Sequence, residues 1–228
     1  MDLIGLFLLA FNATLINNYV LHYFVGICAY IGVSKRIEMA FGMGCAVTFV
    51  MGVAAMLSWS AIYFLLQPGA PLTSFIFKTI HPGSDSVVNL SVLNSIVSIF
   101  VIASSVQLVE MYIRKFFPAL YKAFGVYLPL ITTNCAILFA CIEIMKHVGK
   151  NAVEPWGLDK ALLLAISAGM GFTLAIVLMA GIREDLENAD VPAPLQGPGI
   201  TLITAGIFAM AFMGFTGIDR GLAVLFGR

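Results

Sequence analysis

Two cysteines follow interruptions of otherwise apolar sequence. Cys135 ends a polar run that begins after Pro129, and Cys28 follows a second polar stretch at residues 17–22. Proline lacks a backbone N–H and disfavours helical geometry at the residue before it, so we expect a helix break at residues 128–129. Irregular backbone at membrane depth persists only where protein or a buried polar site satisfies its polar groups. A cysteine directly after such a break is therefore a candidate ligand.

The chemistry that these thiols suggest is cluster ligation. A thiolate in a water-poor setting is costly unless a metal compensates its charge. A [2Fe–2S] cluster takes four cysteine ligands, and the chain has four cysteines. Cys45 and Cys141 lie in helical runs without a break, and we predict that both are packing residues. Cys28 and Cys135 would then form half a site, completed by another chain; the alternative is two buried small residues at helix breaks.

Ionisable residues inside apolar segments are the second set of candidates, because they usually mark ion or proton paths. Glu110, late in the third apolar stretch, is the candidate ion-path or docking residue, and interfacial snorkelling is its alternative. Glu143 and Lys146 are expected to pair with each other. His22 could ligate or titrate, although a satisfied core histidine is the simpler interpretation. The sequence has no P-loop, dinucleotide fingerprint or hydrolase elbow, so we expect no complete active site in this chain.

Composition identifies the setting in which these residues act. Of 228 residues, 61% are hydrophobic and only 11% are charged, whereas a soluble domain has about a quarter charged residues. The formal net charge is zero, which argues against nucleic acid as a partner. The chain is predicted to be an integral membrane protein.

The hydrophobic pattern predicts an all-α polytopic membrane protein, with residues 1–228 as a single membrane domain. A helix needs about 20 apolar residues to span a bilayer, and six stretches qualify. They are Leu3–Tyr30, Ile37–Leu66, Leu90–Ile113, Leu120–Met145, Leu158–Ile182 and Ile200–Phe215. The first and fourth spans are expected to be broken helices.

An internal repeat relates the two halves of the chain. Gly42–Gly44, followed by Thr48, recurs as Gly169–Gly171, followed by Thr173, each one span after a candidate cysteine. Residues from about 1 to 115 would thus repeat as about 116–228. Three spans is an odd number, so the copies would cross in opposite directions as an inverted repeat. Lys and Arg number six on each side, but those in the shorter loops, including Lys35 and Arg183, favour that side as cytoplasmic and both termini as outside.

Several longer motifs together resemble one family. They are F-V-G-I-C at 24–28, V-E-M at 109–111, L-P-L-I-T-T-N-C at 128–135, D-V-P-A-P at 190–194 and I-T-A-G through M-G-F at 203–215. The chain closely resembles the RnfA/NqrE family, with RnfA of the Rnf ion-translocating electron-transport complex as the first choice and NqrE of the Nqr complex as the second. The 67–89 loop and the tail after Gly217 are longer than this resemblance leads us to expect.

This resemblance implies a fold, a cofactor and partners. It implies a 3+3 inverted repeat paired with a homologous subunit of opposite orientation (RnfE-like), each partner giving two cysteines to a shared [2Fe–2S] cluster. By motif, those of this chain are Cys28 and Cys135. The chain would relay electrons across a bacterial or archaeal cytoplasmic membrane, in ferredoxin:NAD oxidoreduction coupled to Na⁺ or H⁺ translocation. Flavins and the nucleotide site would belong to other Rnf subunits (B, C, D and G).

The alternative from the residues alone is a non-redox secondary transporter or channel. Inverted repeats with broken helices are common in such proteins. Asn17, Thr132 and Asn134 would then bind substrate near the membrane midplane.

Overall fold

The computed structural model describes residues 3–61, 99–100, 103–104, 107–108, 111, 114–115, 130, 134–147, 156–218 and 221. Within these residues all regular structure is helical, as predicted. The elements are α1 (Leu3–Phe11), a π-helical turn (Asn12–Ile16), α2 (Ile27–Val33), α3 (Ile37–Ala61), α4 (Cys135–His147), α5 (Leu158–Glu187), a 3₁₀ turn (Ala193–Leu195) and α6 (Pro198–Met213).

Two of the described helices are long and apolar enough to cross a membrane, Ile37–Ser60 within α3 and Leu158–Glu187, which is α5. Their most apolar windows have mean hydropathies of 2.0 and 2.3, and only 50% and 56% of those windows are buried inside the chain. The predicted fifth span and the described part of the predicted second span, Ile37–Ala61, are thus continuous helices. Most of the third span, the first part of the fourth and the 67–89 loop lie outside the described residues.

Helices α3 and α5 cross in close contact at two glycine–threonine pairs. A Cβ atom at Gly44 would lie 2.5 Å from Cγ2 of Thr173, and one at Gly169 would lie 2.8 Å from Cα of Thr48. The two threonine hydroxyl oxygens are 3.3 Å apart. Each hydroxyl also donates to the carbonyl four residues earlier, at Gly44 and Gly169, over 2.8 and 2.9 Å. Such small-residue contacts let membrane helices approach closely without leaving polar groups unsatisfied.

The two helices run antiparallel over their whole length. At one end the backbone N–H of Ile37 donates to Oε1 of Glu184 over 3.0 Å. At the other end Nε1 of Trp59 donates to the carbonyl of Trp156 over 3.2 Å. Rising residue numbers on α3 therefore meet falling numbers on α5.

The helix contact pairs the glycines differently from the sequence repeat, which stays a prediction. The repeat aligns Gly42 with Gly169, whereas in the contact Gly44 and Gly169 have equivalent places, each with a threonine four residues later. The reason is that residues i and i+4 share a helix face, so Gly-x-x-x-Thr forms one contact surface. Gly171 instead packs against the π-helical turn in the first span, where its Cβ position lies 2.8 Å from the carbonyl oxygen of Thr14.

The two remaining cysteines lie in different surroundings, one in the core and one on the outer surface. Cys141 is 0% exposed within the buried core, as predicted for a packing residue. Cys45 is exposed, so the prediction that it packs inside this chain is wrong. It lies on α3 four residues from Phe41 and from Phe49, which are 58% and 62% exposed. This apolar stripe lies on the outer surface of the chain.

Replacing Gly44 by alanine tests the close helix crossing. We expect Gly44→Ala to destabilise the protein by about 1–3 kcal/mol, because the new methyl group has no room beside Thr173. For a chain of this size that corresponds to a melting temperature lower by about 2–4 °C per kcal/mol, measured by thermal unfolding in detergent. Gly52→Ala is the matched control, since nothing lies within 4 Å of its Cβ position on the same helix; equal losses in both variants would contradict the crossing.

Candidate functional site: two cysteines at adjoining helix starts

The first span is interrupted where the sequence predicted a break. Helical structure ends with the π-helical turn at Ile16 and resumes at Ile27. Asn18, which is fully buried, holds the interruption in place. Its side-chain amide donates to the carbonyls of Thr14 and Gly171 over 3.0 and 2.8 Å. Its side-chain oxygen accepts the backbone N–H of Val20 over 3.0 Å, so one asparagine satisfies backbone groups from the π-helical turn, the break and α5.

The break ends in a tight backbone turn that brings α2 against α4. Phe24 and Gly26 both have left-handed backbone angles, with φ of 56° and 87°. A Cβ atom at Gly26 would lie 3.1 Å from Oδ1 of Asn134, 3.3 Å from Cβ of Ala136 and 3.3 Å from Cε2 of Phe172. Glycine is required here both by the angle and by the contact. The start of α2 therefore touches the start of α4.

Asn134 caps the start of α4. Its Oδ1 accepts the backbone N–H of Ala136 over 3.0 Å, and its carbonyl accepts that of Ile137 over 3.1 Å. Asparagine is among the favoured N-cap residues for this reason. The side chain is 3% exposed, yet its Nδ2 has no hydrogen-bond partner among the described residues. A buried donor is thus left over beside Cys135.

Both candidate cysteines lie in the first turn of a helix. Cys28 is the second residue of α2 and Cys135 is the first residue of α4. Both are exposed from this chain, so their interpretation as buried packing residues is wrong. Within the described part of the chain, which includes every cysteine, no three His, Cys, Asp or Glu side chains group as a metal site.

The other end of α2 is held by two consecutive residues of α5. Nη1 of Arg183 donates to the carbonyl of Ile31 over 2.8 Å and to Oγ of the buried Ser34 over 3.0 Å. Glu184 accepts the first N–H of α3 at Ile37. Sequence reasoning had placed Arg183 only by its charge, since the contact depends on how α5 packs.

The remaining ionisable candidates are Glu143, Lys146, His22 and Glu110. Nζ of Lys146 lies 2.8 Å from Oε2 of Glu143, which confirms the predicted pair. His22 is partly buried, and its Nδ1 has no hydrogen-bond partner among the described residues, so it is not the satisfied core histidine that was expected. Thr132 and Glu110 lie outside the described residues.

Comparison with known proteins matches residues 6–219 to the model of the Rnf-Nqr family, described as "Rnf-Nqr subunit, membrane protein". One relative, from Acetobacterium woodii, is 46% identical over 92% of this chain and 96% of its own length, and is named as the A subunit of a Na(+)-translocating ferredoxin:NAD(+) oxidoreductase complex. Relatives from Syntrophotalea carbinolica and Escherichia coli are each 43% identical, over 95% and 94% of this chain and 99% and 98% of their own. Both are named as the A subunit of an ion-translocating oxidoreductase complex.

The accessibility of the cysteines can be measured by thiol labelling. In the purified chain in mild detergent, we expect a water-soluble maleimide to modify Cys28 and Cys135, since both side chains are exposed. Cys141 should react only after denaturation, because it is fully buried. Peptide mass spectrometry of labelled protein gives the site-specific rates. Native labelling of Cys141 as fast as that of Cys28 would contradict the arrangement.

Proposed function

The chain belongs to the Rnf-Nqr family of membrane subunits, and from that membership we propose that it relays electrons across the membrane through a [2Fe–2S] cluster held in part by Cys28 and Cys135. Its relatives match over nearly their whole length and are named as A subunits of ion-translocating oxidoreductase complexes. This chain is accordingly a component of such an oxidoreductase, and we propose that it carries no complete active site of its own.

The observation that carries the proposal is the meeting of two helix starts, each with an exposed cysteine. Gly26 brings α2 against the cap of α4, and the two thiols follow Gly26 and Asn134 by two residues and one residue. A [2Fe–2S] cluster requires four ligands, and the other two cysteines of this chain lie apart, one buried and one on the outer face of α3. Two cysteines from a second chain would complete the set.

The residues present fit such a cluster chemically. When bound, it supplies a one-electron carrier whose potential depends on hydrogen bonds to its sulfurs and on burial. The helix starts supply backbone N–H groups that favour negative sulfur. The leftover Nδ2 donor of Asn134 has no other partner among the described residues and is next in sequence to Cys135. Arg183 holds the opposite end of α2 and thereby limits movement of Cys28.

The second half of the site would come from a homologous RnfE-like subunit of opposite orientation. The surface beside Cys28 supports this, because Tyr23 and Phe24 are 45% and 51% exposed. Large apolar side chains around a half-site are typical of a surface covered by another protein chain. The remaining partners would be the other subunits of the Rnf complex (B, C, D and G).

The reciprocal contact of α3 and α5 supports a 3+3 inverted repeat. Gly44 contacts Thr173 in the same way as Gly169 contacts Thr48. The contact therefore looks the same from either of the two antiparallel helices. A two-fold axis in the membrane plane has this effect. Six spans in one membrane domain, with repeats at about 1–115 and 116–228, follow from this proposal.

The complex would couple ferredoxin:NAD oxidoreduction to Na⁺ or H⁺ movement across a bacterial cytoplasmic membrane. Arg183 contacts the α2–α3 turn that carries Lys35 and Arg36, so these three cations gather at one end of the molecule. The positive-inside tendency favours that end as cytoplasmic, with both termini outside. The relatives' names favour this redox role over a non-redox transporter.

Replacement of each candidate ligand tests the proposal. In the assembled complex, we expect Cys28→Ser or Cys135→Ser to abolish the [2Fe–2S] signal in low-temperature EPR and to stop electron transfer. Cys45→Ser is the matched control, because that thiol is also exposed but lies on the outer face of α3. A full cluster signal in both ligand variants would refute the proposal.

The close approach at Gly26 yields a second test. Gly26→Ala should lower the cluster content per complex by about half or more, because a side chain at this left-handed position strains the backbone by about 1–3 kcal/mol and forces α2 away from Asn134. Iron analysis and EPR spin counting provide the measurement. Gly181→Ala is the control, since nothing lies within 4 Å of its Cβ position on α5. Unchanged cluster content in Gly26→Ala would show that the contact does not position Cys28.

A further inference from the structure

A cavity of about 410 Å³ lies between the first span, α4 and the beginning of α5. Its wall is mostly apolar, with five polar residues: Asn12, Asn17, Tyr19, Tyr23 and Glu143. We propose that this cavity is a binding site for a partly hydrated monovalent cation. The inference rests on the proposed ion-translocating function and names a site for the ion in this chain.

The π-helical turn supplies paired side-chain amides. Nδ2 of Asn17 donates to Oδ1 of Asn12 over 2.6 Å, and the backbone N–H of Asn17 donates to the carbonyl of Asn12 over 2.8 Å. The wider turn places both asparagines on the cavity side of the first span. Since Asn17 donates through its nitrogen, its side-chain oxygen remains an acceptor that can face a cation. Such π-helical turns recur at functional sites.

Tyr19 provides the independent sign of a ligand. Its side chain is 4% exposed, and its buried hydroxyl has no hydrogen-bond partner among the described residues. A buried hydroxyl that is left unsatisfied loses the hydrogen bonds that water would give it, which destabilises the folded protein. Tyr19 and Glu143 both line the cavity. A hydrated cation held by Glu143 would bring a water molecule that can accept the hydrogen bond of the hydroxyl.

The charged residues that line the cavity indicate which kind of ligand it would bind. Among the described residues that line the cavity, Glu143 is the one carboxylate, and there is neither lysine nor arginine. Its Oε2 pairs with Nζ of Lys146 over 2.8 Å and its Oε1 lies 3.8 Å from Nε2 of His147, and such surface pairs are weak enough to open. Oxygen ligands without histidine or cysteine suit hard cations, and a single carboxylate balances one positive charge. The volume far exceeds the ~30 Å³ of one water, so the ion would keep part of its hydration shell.

The position of the cavity connects it to the cysteine site. Asn17, Tyr19 and Tyr23 line the cavity and belong to the break that leads to Cys28. The cavity also contacts Trp156, at the end of the molecule opposite Arg183. Occupancy by a cation and the position of Cys28 therefore depend on the same backbone segment.

A sodium titration of the purified complex tests the site. NaCl replaces choline chloride at constant ionic strength, and tryptophan fluorescence reports binding, because Trp156 lines the cavity and its ring stacks on His147 with centroids 4.1 Å apart. We expect saturable Na⁺ binding, with the apparent Kd raised at least about tenfold by Glu143→Gln. Glu187→Gln, an exposed glutamate near the opposite end of α5, is the matched control and should bind as the unmodified complex does.

The Tyr19→Phe variant distinguishes a loss of cation binding from a loss of protein stability. It removes a hydroxyl that has no partner among the described residues, so thermal stability without Na⁺ should be unchanged or higher, while the apparent Kd should rise about threefold or more. Unchanged affinity in both Glu143→Gln and Tyr19→Phe, or no saturable Na⁺ response in the unmodified complex, would overturn the inference. EPR of the same samples reports the cluster separately: absence of a cluster with Na⁺ binding retained would reject the electron-relay proposal and leave the cation site standing.

Discussion

The close antiparallel crossing of α3 and α5 is the contact on which the rest of the structure depends. In a membrane, apolar side chains gain little by leaving lipid for protein, so helix association relies on close packing and internal hydrogen bonds. Gly44 and Gly169 allow the two backbones to approach closely. Thr48 and Thr173 fill the space beside them, and each threonine hydroxyl donates a hydrogen bond to a carbonyl of its own helix. Because the same four-residue unit is used on both helices, the contact is self-complementary.

Helix α5 then serves as the frame for the broken first span. Its Gly171 carbonyl receives the amide of Asn18, and its Phe172 ring lies against Gly26. At its end, Arg183 holds the last turn of α2, while Glu184 caps the first turn of α3. The irregular segment between Asn17 and Gly26 is thus fixed at both ends by one rigid helix. This explains how backbone that lacks its own helical hydrogen bonds stays ordered, and why Cys28 is held beside α4.

The proposed cysteine site and the proposed cation site lie at the two ends of this segment, one at the surface and one inside. Its later residues turn towards α4 and lead to Cys28, whose thiol is exposed where a second protein chain can reach it. Its earlier residues turn inward and form, with Glu143, a polar wall in an otherwise apolar cavity. A change of charge at one of these proposed sites would act on the other electrostatically and through the shared backbone, because a low dielectric screens charge poorly. The proposed coupling between electron transfer and ion binding would run through this segment.

The amino-acid sequence by itself determined the helical class, the membrane setting and the break before Cys28, because these follow from hydrophobicity and polar interruptions. The choice of Cys28 and Cys135 as cluster ligands was predicted from the breaks and the motif. The sequence also predicted the Glu143–Lys146 pair, which is local on a helix. Only the tertiary structure decided that Gly44 packs against Thr173 and Gly169 against Thr48, that Cys45 faces outward, and that Arg183 anchors α2. The cavity at Tyr19 was likewise beyond sequence reasoning, since its wall joins the first span to residues of α4 and α5 far along the chain. Periodicity specifies the face of a helix, whereas the partner of that face is chosen by packing.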